Sequence, residues 1–154
     1  VERVKRATGH VSSRIGDIKS THAGFTWKVR VYYEDTDLGG VVYHANYLRF
    51  MERARTEWLR SLGFEQDVLK HHHSVQFVVV DAQLSFRKPA RFNEELEVSV
   101  RVGRSGRASL LFHQEIHGPG GAGLCTGEIR VACIDSDTFK PRPLPREILR
   151  ELAG

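Results

Sequence analysis

The chain is poor in sulfur and proline and has no long apolar run: two cysteines, one methionine and five prolines stand in 154 residues. Cys125 and Cys133, on one regular strand, would lie roughly 26 Å apart at about 3.3 Å per residue, too far for a disulfide. Two buried, reduced thiols are expected instead. The longest apolar run spans about four residues (Phe77 to Val80), against roughly 20 for a membrane-spanning helix, so no span is expected. No apolar segment follows the basic opening residues, as a secretory signal would require. These absences point to the cytoplasm. A strong charge imbalance is also missing. The net charge is +4, but residues 1–24 hold five basic groups against two acidic, and the remainder holds 18 against 17. A body this close to neutral speaks against a nucleic-acid partner.

What is present is the material of one globular domain, with 40% hydrophobic and 27% charged residues. Residues 1–24 are polar and basic without apolar period and are expected to form a flexible leader, with the domain over 25–154. FTWKVRVYYE (Phe25 to Glu34) alternates Trp27, Val29, Val31 and Tyr33 against polar neighbours, the pattern of a half-buried strand. DTDLGG then reads as a turn. From His44 to Leu62 the period changes: Tyr47, Leu48, Met51, Ala54, Arg55, Trp58, Leu59 and Leu62 recur at three and four. That predicts an amphipathic helix of about five turns, stopped at Gly63.

A loop carrying His71, His72 and His73 follows. Strands are then expected over Val75–Arg87 (with a bulge near Asp81), Glu95–Val102, Arg107–His117 and Leu124–Asp135, with turns at Gly103–Gly106 and Gly118–Gly123. A short charged helix over Arg146–Leu152 closes the chain. One helix must bury its stripe against one face of the sheet, giving an α+β layer.

Three places could carry chemistry. YYEDTDLGGVVYHANY puts Glu34, Asp35, Asp37 and His44 directly before a helix N-terminus. Exposed backbone N–H groups there can hold a developing oxyanion, a carboxylate can act as nucleophile or general base, and glycines allow close approach. Capping and turn chemistry explain the same residue types equally well. A calcium loop does not fit, because the twelfth position from Asp35 is Asn46 rather than Glu. The three histidines lack further ligands at metal spacing. Arg87, Lys88 and Arg91 around Pro89 could pair with phosphates or simply solubilise a strand edge.

The stretch VRVYYEDTDLGGVVYHANYLRFMERARTEWLR (Val29 to Arg60) resembles the signature of the 4-hydroxybenzoyl-CoA thioesterase-type hotdog proteins. It is most similar to the branch associated with the Tol-Pal cell-envelope system of Gram-negative bacteria. The resemblance implies the hotdog fold, a curved antiparallel sheet wrapped around one long central helix, and an acyl-CoA thioesterase. It implies that Asp37 is the catalytic carboxylate, with Tyr33 and His44 at the other polar site positions. It implies no metal and no bound cofactor, coenzyme A entering only as part of the substrate. It also implies a homodimer or homotetramer built by joining sheets. Two other functions compete: a hydroxyacyl-thioester dehydratase, which would use a helix acid such as Glu52 or Glu57, and a scaffold with weak hydrolysis that binds acyl thioesters or acyl carrier protein.

Overall fold

The computed structural model describes residues 24–153. The expected leader therefore lies outside the described residues, apart from Gly24. The elements in chain order are β1 (Phe25–Arg30), a 3-10 turn (Tyr33–Asp35), α1 (Asn46–Ser61), α2 (Gln66–His73), β2 (Val75–Phe86), β3 (Glu95–Ser105), β4 (Ser109–His117), a second 3-10 turn (Pro119–Gly121), β5 (Gly123–Asp135) and α3 (Arg146–Ala153). The strands form one antiparallel sheet in the order β1-β3-β4-β5-β2, leaving β1 and β2 at its edges. This is the expected α+β hotdog architecture.

Register explains the core. Val98 lies opposite Ile116, Phe112 opposite Ile129 and Ile116 opposite Cys125, so one apolar face runs unbroken across three strands. α1 covers that face. Its buried positions Tyr47, Phe50, Met51, Ala54, Trp58 and Leu59 follow the 3.6-residue period. The Trp58 ring meets Phe112 edge-on at 5.3 Å. Each such bulky side chain contributes about 1.5–3 kcal/mol by leaving water. Helix and sheet approach closely at Gly127, where a Cβ would stand 2.9 Å from the Met51 sulfur.

Several expectations need correction. β1 ends at Arg30 rather than Glu34, and Tyr33 is 84% exposed rather than turned inward. The chain leaves the sheet there because the Asp35 carboxylate captures the Tyr32 amide and folds a 3-10 turn. α1 begins at Asn46, two residues later than expected, and Leu48 faces outward while Phe50 is fully buried. The three histidines are not in a loop; they form the last turn of α2. β3 continues to Ser105 through a register shift after Val102. Gly103 permits it, since a Cβ there would meet the His113 ring at 2.1 Å.

Other expectations hold. Gly63 ends α1 with φ +93°, and β2 is irregular between Val79 and Asp81. Both cysteines lie on β5, buried and unbridged.

Candidate active site

DTDLGG folds because its own side chains answer its backbone. Thr36 and Val42 form an isolated antiparallel bridge, and between them the Asp37 N–H donates to Val41 O at 2.9 Å. Gly40 N–H closes a β-turn onto Asp37 O at 3.0 Å, with the φ of +79° that glycine tolerates. Gly39 N–H donates to Asp37 Oδ1 at 2.8 Å, so the carboxylate orders its own turn.

The neighbouring acid has a different fate. Asp35 is buried, and both of its oxygens are engaged: Oδ1 accepts from Asn46 Nδ2 at 2.9 Å and Oδ2 from Tyr32 N–H at 2.7 Å. Its carbonyl also accepts the Tyr43 N–H at 2.9 Å. Asp35 thus ties the 3-10 turn to the first residue of α1, while Asp37 remains exposed. Of the three acids visible in the sequence, Asp35 is structural, while Glu34 and Asp37 face solvent.

Asp37 lines an open cleft of about 620 Å³ together with Tyr33, Thr36, Leu38, Gly40 and Phe92. The Tyr33 and Phe92 rings meet edge-on at 6.4 Å. The structure therefore brings Tyr33 and Asp37 to one cleft. His44 is not part of its lining. It packs at 4.6 Å from the Tyr43 ring and 6.4 Å from Phe86, at the start of α1.

No side chain caps α1 at Ala45. The Tyr43 N–H is taken by Asp35, whereas the amides of His44 and Ala45 have no acceptor among the described residues. Free amides at the positive end of a helix suit a developing negative charge.

Beneath this surface lies a connection that local spacing cannot announce. The buried Ala90 donates its N–H to the Tyr47 hydroxyl oxygen at 3.1 Å and accepts the Val42 N–H at 2.8 Å. One residue so joins α1 to the Asp37 loop. Burial pushes the Tyr47 phenol above its ordinary value, opposed by the Ala90 N–H and aided by the nearby Cys125, Glu94 and Asp37. Arg91 bridges to Val41, so the basic segment Arg87, Lys88 and Arg91 runs along the same loop with its side chains exposed. Phe92, on that distant segment, went unnoticed in the sequence. Thr36 and Leu38 could have been found as the immediate neighbours of Asp37.

Among the described residues no group of three metal-ligating side chains converges, and no helix is long and apolar enough to cross a membrane.

The family model of the thioesterase-like superfamily matches residues 31–152. The acyl-CoA thioester hydrolase YbgC of Escherichia coli O6:H1 is 45% identical over 127 residues, covering 82% of this chain and 94% of the relative. The acyl-CoA thioesterase YbgC of Haemophilus influenzae is 42% identical, covering 81% and 91%. Among solved structures, a probable thioesterase from Bartonella henselae aligns with a TM-score of 0.75 at 37% identity, covering 78% of this chain and 98% of that one. A 1,4-dihydroxy-2-naphthoyl-CoA thioesterase from Synechocystis aligns at 0.78 with 25% identity, covering 84% and 95%. With the match running from the last residues before the 3-10 turn through α3, the chain belongs to the thioesterase-like superfamily.

Proposed function

We propose that the chain hydrolyses acyl-CoA thioesters to the free acid and coenzyme A, with Asp37 supplying the reacting carboxylate. The observation that supports this most directly is the setting of Asp37. It is an exposed acid of the loop, it is the acid that lines the cleft, and it stands before a helix start with two unengaged amides. The relatives named as acyl-CoA thioesterases span the same region.

In this reading the thioester carbonyl oxygen accepts hydrogen bonds from the His44 and Ala45 N–H groups, which stabilise the oxyanion as it forms. Asp37 then acts in one of two ways. As a nucleophile, its oxygen bonds to the carbonyl carbon, the C–S bond breaks, coenzyme A leaves as thiolate, and water cleaves the resulting anhydride. As a general base, it takes a proton from the water that attacks. Tyr33 borders the acyl group at the cleft, and His44 orients the helix start through its packing with Tyr43 and Phe86. The exposed Arg87, Lys88 and Arg91 supply positive charge for the phosphates of coenzyme A.

The free edge of β2, with Val79, Val80 and Phe86 exposed, suits sheet-to-sheet pairing of two copies. Two buried thiols suit a reducing cytoplasm.

The test is thiol release from short, long and aromatic acyl-CoAs, with Asp37→Asn alongside. Turnover by the unaltered chain and its collapse in the folded variant support the reading; a near-normal rate in Asp37→Asn overturns the assignment. Turnover in ¹⁸O-water followed by mass analysis of the Asp37 peptide tests the nucleophilic route, since water that opens the anhydride at the Asp37 carbonyl carbon leaves its label there. Label enters the carboxylate only when Asp37 has been acylated.

A further inference from the structure

Away from the Asp37 cleft, the later half of α1 carries a cation on its sheet-facing side. Arg55 Nη1 donates to Gln114 Oε1 at 2.9 Å, and the guanidinium carbon lies 5.9 Å from the Phe112 ring centroid. Gln114 is 1% exposed, and its orientation is fixed from behind. Its Nε2 donates to Met51 O at 3.1 Å and to Ser99 O at 3.3 Å, which turns Oε1 toward Arg55. A guanidinium has five N–H donors. Among the described residues Gln114 is the one hydrogen-bonding partner of Arg55, and no carboxylate forms an ion pair with it. Burial pushes its pKa down to about 10, opposed by the charge of Glu52. The folded chain thus holds a partly desolvated cation with no carboxylate bonded directly to it.

Arg55 faces a cavity of about 40 Å³ walled by Trp58, Leu59, Phe77, Phe112 and Val131. At Gln66 and Phe77 this cavity adjoins an open cleft of about 180 Å³ between α2 and the start of β2. Lys70 and Asp67 stand at that cleft with opposite charges, so its mouth offers no second anion site. The two ends of β2 separate this place from the His44 end of the fold, since Phe77 and Phe86 are roughly 30 Å apart at about 3.3 Å per residue.

We propose that this cavity is a binding site for a monocarboxylate with a short alkyl tail, its carboxylate held by Arg55 and its tail running between Gln66 and Phe77 into the outer cleft. A guanidinium meets a carboxylate through two parallel hydrogen bonds, and apolar walls strengthen the pair. The inner cavity is small and largely apolar, and a doubly charged phosphate would bring an unpaired charge among aromatic rings. Binding here does not depend on the role given to Asp37.

The probe is sodium hexanoate, read by Trp58 fluorescence in a Trp27→Phe chain, where Trp58 is the remaining tryptophan. Saturable change is expected with hexanoate and not with 1-hexanol, hexylammonium or sodium chloride at equal ionic strength. Arg55→Gln weakens binding by about tenfold or more, Val131→Phe closes the cavity while keeping Arg55, and Asp37→Asn leaves binding intact. Intermolecular NOEs from hexanoate to the Trp58 and Phe112 rings of the unaltered chain read the same site should either cavity variant fail to fold. The proposal is overturned by absence of a saturable response and of NOEs in the unaltered chain, by equal affinity in folded Arg55→Gln, by equal binding of hexanol, or by loss of binding in Asp37→Asn.

Discussion

Asn46 donates its side-chain amide to the buried Asp35 carboxylate at 2.9 Å, joining the first residue of α1 to the turn that precedes the Asp37 loop. Asp35→Ala removes the acceptor of both this amide and the Tyr32 N–H. Leaving the donors unsatisfied should cost about 3 kcal/mol, read as a lower urea midpoint, with activity falling because the loop loses its anchor.

Asp37→Asn should behave in the opposite manner. The Asn oxygen can still accept from Gly39 N–H, so the unfolding midpoint should stay near that of the unaltered chain. Turnover on acyl-CoA should drop by about 10²–10⁴-fold or more. Measuring stability and rate on both variants tests whether Asp35 is the structural acid and Asp37 the reacting one.

Which acid would be which was not legible in the sequence. Asp35 and Asp37 are both acids of one loop, and what divides them is Asn46, a tertiary partner whose contact no local pattern displays. The resemblance singled out Asp37; alternation and composition could not. The stripe of α1 was legible, since Tyr47, Met51, Ala54, Trp58 and Leu59 repeat at helical spacing and are all buried. Tyr33 was misplaced because apolar alternation continues past Arg30, while the turn that ends the strand is set by a side-chain bond. α2 went unseen because QDVLKHHH offers only Val68 and Leu69 as apolar positions, too few to show a period.

Tyr47→Phe keeps the ring and deletes the acceptor for Ala90 N–H. A loss of about 1–2 kcal/mol is expected from the orphaned buried amide. Because Ala90 also holds Val42, kcat should fall more than KM changes, as measured by initial rates across substrate concentration.

Cys125 gives a pH dependence. Burial pushes its thiol from about 9 up to about 12. The folded chain keeps this proton where the unfolded chain loses it, so the contribution to stability is complete below about pH 9. It declines as pH rises toward 12. Urea midpoints at several alkaline pH values should fall more steeply for the unaltered chain than for Cys125→Val.

Gly103→Ala places a methyl where the buried His113 ring lies. The ring must move or the β3 bulge must open, at a cost of about 1–3 kcal/mol visible as a lower melting temperature.

Ala90, bonded through its N–H to Tyr47 and through its C=O to Val42, works as a pin through two pieces of chain. The two amides at this pin, Ala90 N–H and Val42 N–H, are therefore expected to exchange their hydrogens slowly and together. Any breathing that admits a substrate falls to the outer rim, where Tyr33, Leu38 and Phe92 carry no such fastening. The Asp37 loop rests on this pinned floor, and the exposed side chains above it are the ones free to adapt.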